Sequence, residues 1–242
     1  MDKKEALKIV KKDGHGLENL PLHFKSDKEV VLEAVRENAY SLQHADKSLK
    51  EDREIFLEAL KKDVDIIFDI LGKIPMHLKK DKEIVLEASI RESTALYHAD
   101  DVLKKDKKFI LEIIKQNGLA LEFVDDRLKK DKGIVLKAVN QNGDALSGAD
   151  KSFKKDRKIV LEAVKNYSHA LQYADDVLKK DKKFILEIIK QNSLSLEFVD
   201  DSLKKDKEIA LEAVKNDIDA FEWINENLKN DSDILKVVNK NK

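Results

Sequence analysis

The most concentrated chemistry in the sequence is a set of adjacent aspartates: Asp100 with Asp101, Asp125 with Asp126, Asp175 with Asp176, and Asp200 with Asp201. Paired carboxylates suit a divalent cation, but calcium takes about six to eight oxygens, usually from a loop with regular Asp/Asn and Gly spacing. These pairs run instead into LKK or the closely similar SLKK and RLKK, whose lysines oppose a cation. Helix capping explains them better, since an aspartate oxygen can accept the free amide hydrogens of a first turn. The six histidines raise a second metal possibility. His23 and His77, His44 and His98, and His15 and His169 fall at equivalent places in a repeating pattern, with the members of each pair at least two repeats apart. At about 10 Å per helical layer, no pair can share an ion with bonds near about 2 Å. Different positions in adjacent repeats can still converge, yet the plain reading is of surface or packing imidazoles, with no metal and no cofactor. GxSxG, HExxH, Walker and GxGxxG strings are absent. No catalytic residue can be named, so an enzyme is not the favoured reading.

Lysines form the third constellation, in clusters such as Lys79, Lys80 and Lys82, then Lys104, Lys105 and Lys107, through to Lys204, Lys205 and Lys207. A stripe of this kind could follow a phosphate backbone. Each cluster encloses an aspartate, however, and a competing acidic stripe runs beside it. Mutually neutralising, solvated edges are the simpler interpretation, and the aromatic interleaving of single-strand binders is thin.

All three constellations recur because the chain repeats. VLKKDKKFILEIIKQNGLALEFVDD at residues 102–126 returns at 177–201 with only Gly118/Ser193 and Ala120/Ser195 different. A shorter period is marked by Asp2, Asp27, Asp52, Asp81, Asp106, Asp131, Asp156, Asp181, Asp206 and Asp231, every interval being 25 residues except one of 29. A period of that size means a stacked array. With each aspartate counted as position 1, positions 4–9 commonly read like IVLEAV. The pattern predicts a helix of ten or eleven residues, N-capped by the aspartate. Asn38, Asn117, Asn142 and Asn192 at position 12, followed twice by glycine, read as its stop signal through a left-handed turn. Apolar residues near positions 16, 19 and 23 predict a second short helix, broken near position 20, where Pro21 and Pro75 replace the usual aspartate in LPLHF and IPMHL. A last turn of helix then returns the chain to the next anchor.

Leucine holds position 6 in nine successive repeats, from Leu7 to Leu211, and is expected in the core. Helices this short are marginal alone, so stacking is obligatory and the expected fold is an all-α solenoid. About nine helix-turn-helix repeats and a partial C-terminal repeat would form one elongated domain over residues 1–242. Glu5 at position 4 of the first repeat and Lys236 at position 6 of the last suggest capping ends. The repeat at Asp52 carries four extra residues within 63–77, the one local break in regularity and so a candidate functional site, where the least favoured reading places an enzyme site and the alternative is a neutral insertion.

The string D-K-x-I-V-L-E-A-V-K-x-N followed by A-L-x-x-A-D-D-x-L-K-K resembles the short helical repeats called domain of unknown function 4116, over nearly the whole chain. The resemblance implies an all-helical repeat and brings no catalytic or binding residues with it. The extended repeat at Asp52 and the PxH repeats depart from its commonest pattern.

Charge does not choose a partner, since 47 basic residues face 48 acidic ones. Cysteine is absent, in keeping with a reducing compartment, and neither a signal peptide nor an apolar membrane span is visible. An intracellular, cytoplasmic, monomeric protein away from membranes is expected. Position 18 varies informatively: His44, His98, Phe123, Gly148, Tyr173, Phe198 and Trp223. Position 14 varies with it, and an i, i+4 relation would place both on one face of the second helix. Interfaces favour aromatic rings, although the same rings could fill gaps between repeats. The expected function is therefore a noncatalytic scaffold that binds a protein or peptide through His44, His98, Phe123, Tyr173, Phe198 and Trp223. Nucleic-acid binding along the lysine ridge is the alternative.

Overall fold

All ten anchoring aspartates begin a helix, each accepting a backbone amide hydrogen of the first turn with its side chain. The computed structural model describes residues 1–62 and 74–240. Among the described residues there is no strand, and the repeat has three helical pieces. A long α-helix, for example Lys132–Gln141, leads into a 3-10 helix, Gly143–Gly148, and then a four-residue α-helix, Lys151–Lys154. The chain divides into two compact units, Met1–Ile113 and Ile114–Lys242, and within each the repeats stack on their neighbours. The extra residues of the repeat at Asp52, and with them most of the segment proposed for an enzyme site, lie outside the described residues.

The long helices bury positions 4, 5, 8 and 9, as in Val30, Val31, Ala34 and Val35 of the first unit, and Ile134, Val135, Ala138 and Val139 of the second. The leucines at position 6 depart from the expectation of a core leucine. Leu57 is buried, but Leu7, Leu32, Leu86, Leu111, Leu136, Leu161, Leu186 and Leu211 are only half-buried. At about 100° per residue, positions 4, 5, 8 and 9 form one face, and position 6 points roughly 130° from its centre. The leucines flank the core rather than fill it.

The helix stop also differs from its expected form. Asn38 and Asn142 are extended, with φ of −148° and −150°, and the described residues contain no positive φ. Position 12 instead opens the next helix: Asn38 accepts from the amide of Tyr40, Asn142 from Asp144, and Asp13, Glu92 and Asp217 cap in the same way. Such i to i+2 side-chain bonds support a tight turn, but Asn117, Tyr167 and Asn192 open the same 3-10 helix without one; the form is held by i to i+3 backbone bonds such as Ser41 to Asn38 and Ala45 to Leu42. Gly143 owes its place to close approach, since a Cβ there would lie 2.3 Å from the Ala163 carbonyl oxygen in the next repeat.

The break at position 20 is as expected. Asp46, Asp100, Asp125, Asp150, Asp175 and Asp200 cap the short helices, while Pro21 and Pro75 occupy that cap without a side-chain bond. Position 20 also fastens repeats together, its amide donating to the position 24 carbonyl of the preceding repeat: Asp46 to Lys25, Asp100 to Lys79, Asp150 to Lys129 and Asp175 to Lys154.

Candidate interaction surface

A 3-10 helix has about three residues per turn, so residues three apart lie on one ridge. Positions 13, 16 and 19 make the inner ridge, as Gly143, Leu146 and Ala149 show, all buried. Positions 14 and 17 make an outer ridge, and position 18 shares the third with buried position 15. Positions 14 and 18 of one repeat are therefore not on a common face, as an α-helical spacing would have required. The stack brings them together differently. Position 14 of one repeat meets position 18 of the next: His169 and Phe198 have ring centroids 6.3 Å apart, and Leu194 lines the same groove as Trp223. Tyr173 likewise lies within electrostatic reach of Asp144. Its hydroxyl pKa is raised, first by burial and then by the negative charges of Asp144 and Glu122.

Every predicted site residue is half-buried. In the first unit the Nε2 of His44 lies 4.0 Å from a Glu18 carboxylate oxygen, and His98 stands edge-on to Tyr97 at 5.2 Å. Burial, helped by Lys79 and Lys104, pushes the His98 imidazole below its ordinary pKa and so towards the neutral form. In the second unit the 3-10 helices that carry Phe123, Gly148, Tyr173, Phe198 and Trp223 pack side by side in order. Gly148 interrupts the row for a steric reason, because a Cβ there would fall 2.7 Å from the Cα of Glu122. At the last of these helices an open groove of about 570 Å³ is lined by Leu194, Asp219, Phe221, Glu222, Trp223 and Val238 among others. Phe221 is half-buried where leucines such as Leu146 and Leu196 are fully buried, and no following repeat with an equivalent 3-10 helix is described beyond it.

The lysines are largely committed within the chain. The basic residue at position 2 reaches the anchoring aspartate of the next repeat: Lys3 to Asp27 at 2.9 Å, Lys28 to Asp52 at 2.9 Å, Arg53 to Asp81 at 2.6 Å and Lys82 to Asp106 at 2.6 Å in the first unit. In the second unit Lys132 meets Asp156 at 2.8 Å, Lys182 meets Asp206 at 2.7 Å, and Lys207 meets Asp231 at 2.9 Å. Position 24 pairs with position 21 of its own short helix, as in Lys104 with Asp101 and Lys179 with Asp176, both at 2.9 Å. Lys154 is drawn inward to the Ser147 carbonyl at 2.7 Å, and burial lowers its pKa. Position 25 leans towards the next position 20, with Lys155 3.6 Å from Asp175 and Lys180 3.8 Å from Asp200. The paired aspartates thus serve as caps and counter-ions. Among the described residues no group of three or more His, Asp or Glu side chains is placed to hold a metal ion.

Sequence reasoning passed over position 17, whose Glu122, Glu197 and Glu222 share the outer ridge with position 14. Counting by three from position 14 would have found them.

No helix among the described residues is long and apolar enough to cross a membrane. Comparison with curated proteins and with solved structures gives no match. The model of a family described as a domain of unknown function, DUF4116, matches in overlapping windows: residues 2–50, 27–70, 52–104, 81–129, 106–154, 131–179, 156–204, 181–229 and 206–241. The windows advance with the anchoring aspartates and together span the helical repeats just described, so the chain belongs to the DUF4116 family.

Proposed function

We propose that this protein is a noncatalytic helical-repeat scaffold that binds a protein or peptide partner along the 3-10 helices of its second unit. One observation carries the reading. Repeats with the same backbone plan present Tyr173, Phe198 and Trp223 in adjacent layers, each ring half-buried, beside the changing position 14 residues Asp144, His169 and Leu194. A fixed frame with rigid, partly exposed rings loses little conformational freedom on binding, and aromatic anchors contribute strongly at interfaces. The lysine ridge offers less to a nucleic acid, because its position 2 ammonium groups already pair with the anchoring aspartates and several at position 24 with position 21.

Affinity capture with the tagged chain, from a lysate of its source and with nuclease present, tests the reading. A protein held by the wild type and lost from Phe123→Ala/Tyr173→Ala/Phe198→Ala, with the helical circular dichroism of the variant intact, supports it. Equal capture by both removes this face as the binding surface. Partners that disappear with nuclease would favour the lysine ridge instead.

A further inference from the structure

In the first unit, neighbouring repeats are fastened along their short-helix edge by a backbone rung, the position 20 amide donating to the position 24 carbonyl of the repeat before. Asp46 reaches Lys25 at 2.9 Å and Asp100 reaches Lys79 at 3.0 Å. Between these two joints lies a third, where the repeat beginning at Asp52 follows the one beginning at Asp27. Its position 20 is Pro75. Proline has no amide hydrogen, so the bond to the Lys50 carbonyl cannot form there. The same residue leaves the short helix Met76–Lys79 without a side-chain cap.

His77 stands two residues further on, and its Nε2 lies 3.1 Å from the carbonyl oxygen of Glu51, the residue after Lys50. A carbonyl oxygen only accepts, so this contact places the proton on Nε2. The imidazole thereby crosses the joint that an amide crosses on either side of it. Proline and histidine also go together in the sequence. Pro21 and Pro75 are each followed at position 22 by histidine, and no other repeat has histidine there. Among the described residues only His77 has a preceding repeat to reach.

The two fastenings are not mechanically equal. A rung is built into the main chain, whereas the His77 imidazole is exposed and reaches through side-chain torsions whose freedom it must give up. The long-helix side of the same joint keeps its ties, with Lys28 2.9 Å from Asp52 and Arg36 3.2 Å from Glu58.

We propose that the short-helix edge of this joint is the compliant point of the first unit, latched by His77 in place of the rung that Pro75 removes. When the latch opens, the short helix Met76–Lys79 parts from Lys47–Lys50 while the long helices stay packed.

Hydrogen exchange of the full chain, followed residue by residue by NMR, tests this, because exchange reports local opening. The amides of Leu78 and Lys79, bonded to the Pro75 carbonyl, should exchange faster than those of Leu103 and Lys104, which hold the equivalent bonds to Asp100. His77→Ala should speed Leu78 and Lys79 about threefold and leave Leu103 and Lys104 unchanged. Pro75→Asp installs the residue that most repeats carry at position 20. The backbone accommodates it, since φ and ψ at Pro75 are −66° and 158°, close to −62° and 143° at Asp100. This variant should slow Leu78 and Lys79, and His77→Ala added to it should be silent. Equal exchange in the two short helices of the wild type, no response to His77→Ala, or the same response with and without Pro75→Asp each overturns the proposal.

Discussion

His169 lies with its ring centre 6.3 Å from that of Phe198, tilted by 52°, and the two belong to consecutive repeats. The same imidazole reaches back 2.6 Å to Asp144 in the preceding repeat. One side chain on the outer ridge therefore bridges three layers of the second unit. This makes the variable surface part of the stack as well as a face for a partner.

Removing that bridge should be felt by the fold. The other oxygen of Asp144, Oδ1, is buried without a hydrogen-bond partner, so His169→Ala leaves the carboxylate without a side-chain hydrogen bond among the described residues. A loss of about 1 kcal/mol is expected, with Asp144→Ala and His169→Ala non-additive when combined. Urea unfolding of the two single variants and the double variant measures the coupling, and strict additivity would show that the contact contributes nothing.

The anchoring aspartates do two jobs, and substitution can separate them. Asp156 caps its helix through the amides of Lys158 and Ile159 and receives Lys132 from the preceding repeat. Asp156→Ala should cost about 1–2 kcal/mol, mostly through the lost cap, whereas Lys132→Ala should cost under about 1 kcal/mol because the pair is half-exposed. Equal losses would mean that the ladder outweighs the cap.

Acid sensitivity follows from the same residue. The hydrogen bond from Lys132 holds the Asp156 carboxyl below the ordinary aspartate value, against the effect of burial and with help from the Ile159 amide. A carboxyl lowered in the folded state contributes its full stability above its unfolded pKa of about 4, and loses it as pH falls through the folded value. Urea midpoints measured from pH 7 to 3 should decline below about pH 4. Asp156→Asn keeps a capping oxygen but cannot titrate, and should make that decline shallower. An unchanged decline would remove Asp156 from the acid response.

Buried hydroxyls offer a gain. Ser195 is fully buried and its Oγ has no partner, as is also true of Ser41. The duplicated stretch carries Ala120 at the equivalent place, fully buried as well. Ser195→Ala should raise stability by about 1 kcal/mol by removing an unsatisfied polar group. A fall in melting temperature would show that the hydroxyl is satisfied in solution.

Position 6 is a test of the core. Ile134 is fully buried and Leu136 half-buried. Ile134→Ala should cost about 2–5 kcal/mol, and Leu136→Ala clearly less, since part of the leucine stays in water in the folded state. The reverse order in thermal or urea unfolding would restore the leucine to the centre of the core.

By itself the sequence determined the period, the caps and the helical class, because these depend on contacts within a few residues. Asp156 caps the residues two and three places ahead, and Asp175 caps the residue two places ahead in its short helix. Such bonds are local and leave their mark in spacing. What only the tertiary structure decided are the faces. Repeated leucines suggested a core, yet the geometry of the long helix turns position 6 aside and buries positions 4, 5, 8 and 9. Asn142 looked like a left-handed stop, but stays extended to cap a 3-10 helix. That change from 3.6 to about three residues per turn separates position 14 from position 18 within a repeat. Stacking then joins them across repeats, as in His169 and Phe198. Local hydrogen bonds are written in neighbouring letters, whereas the company a side chain keeps on a stacked edge depends on residues a whole repeat away.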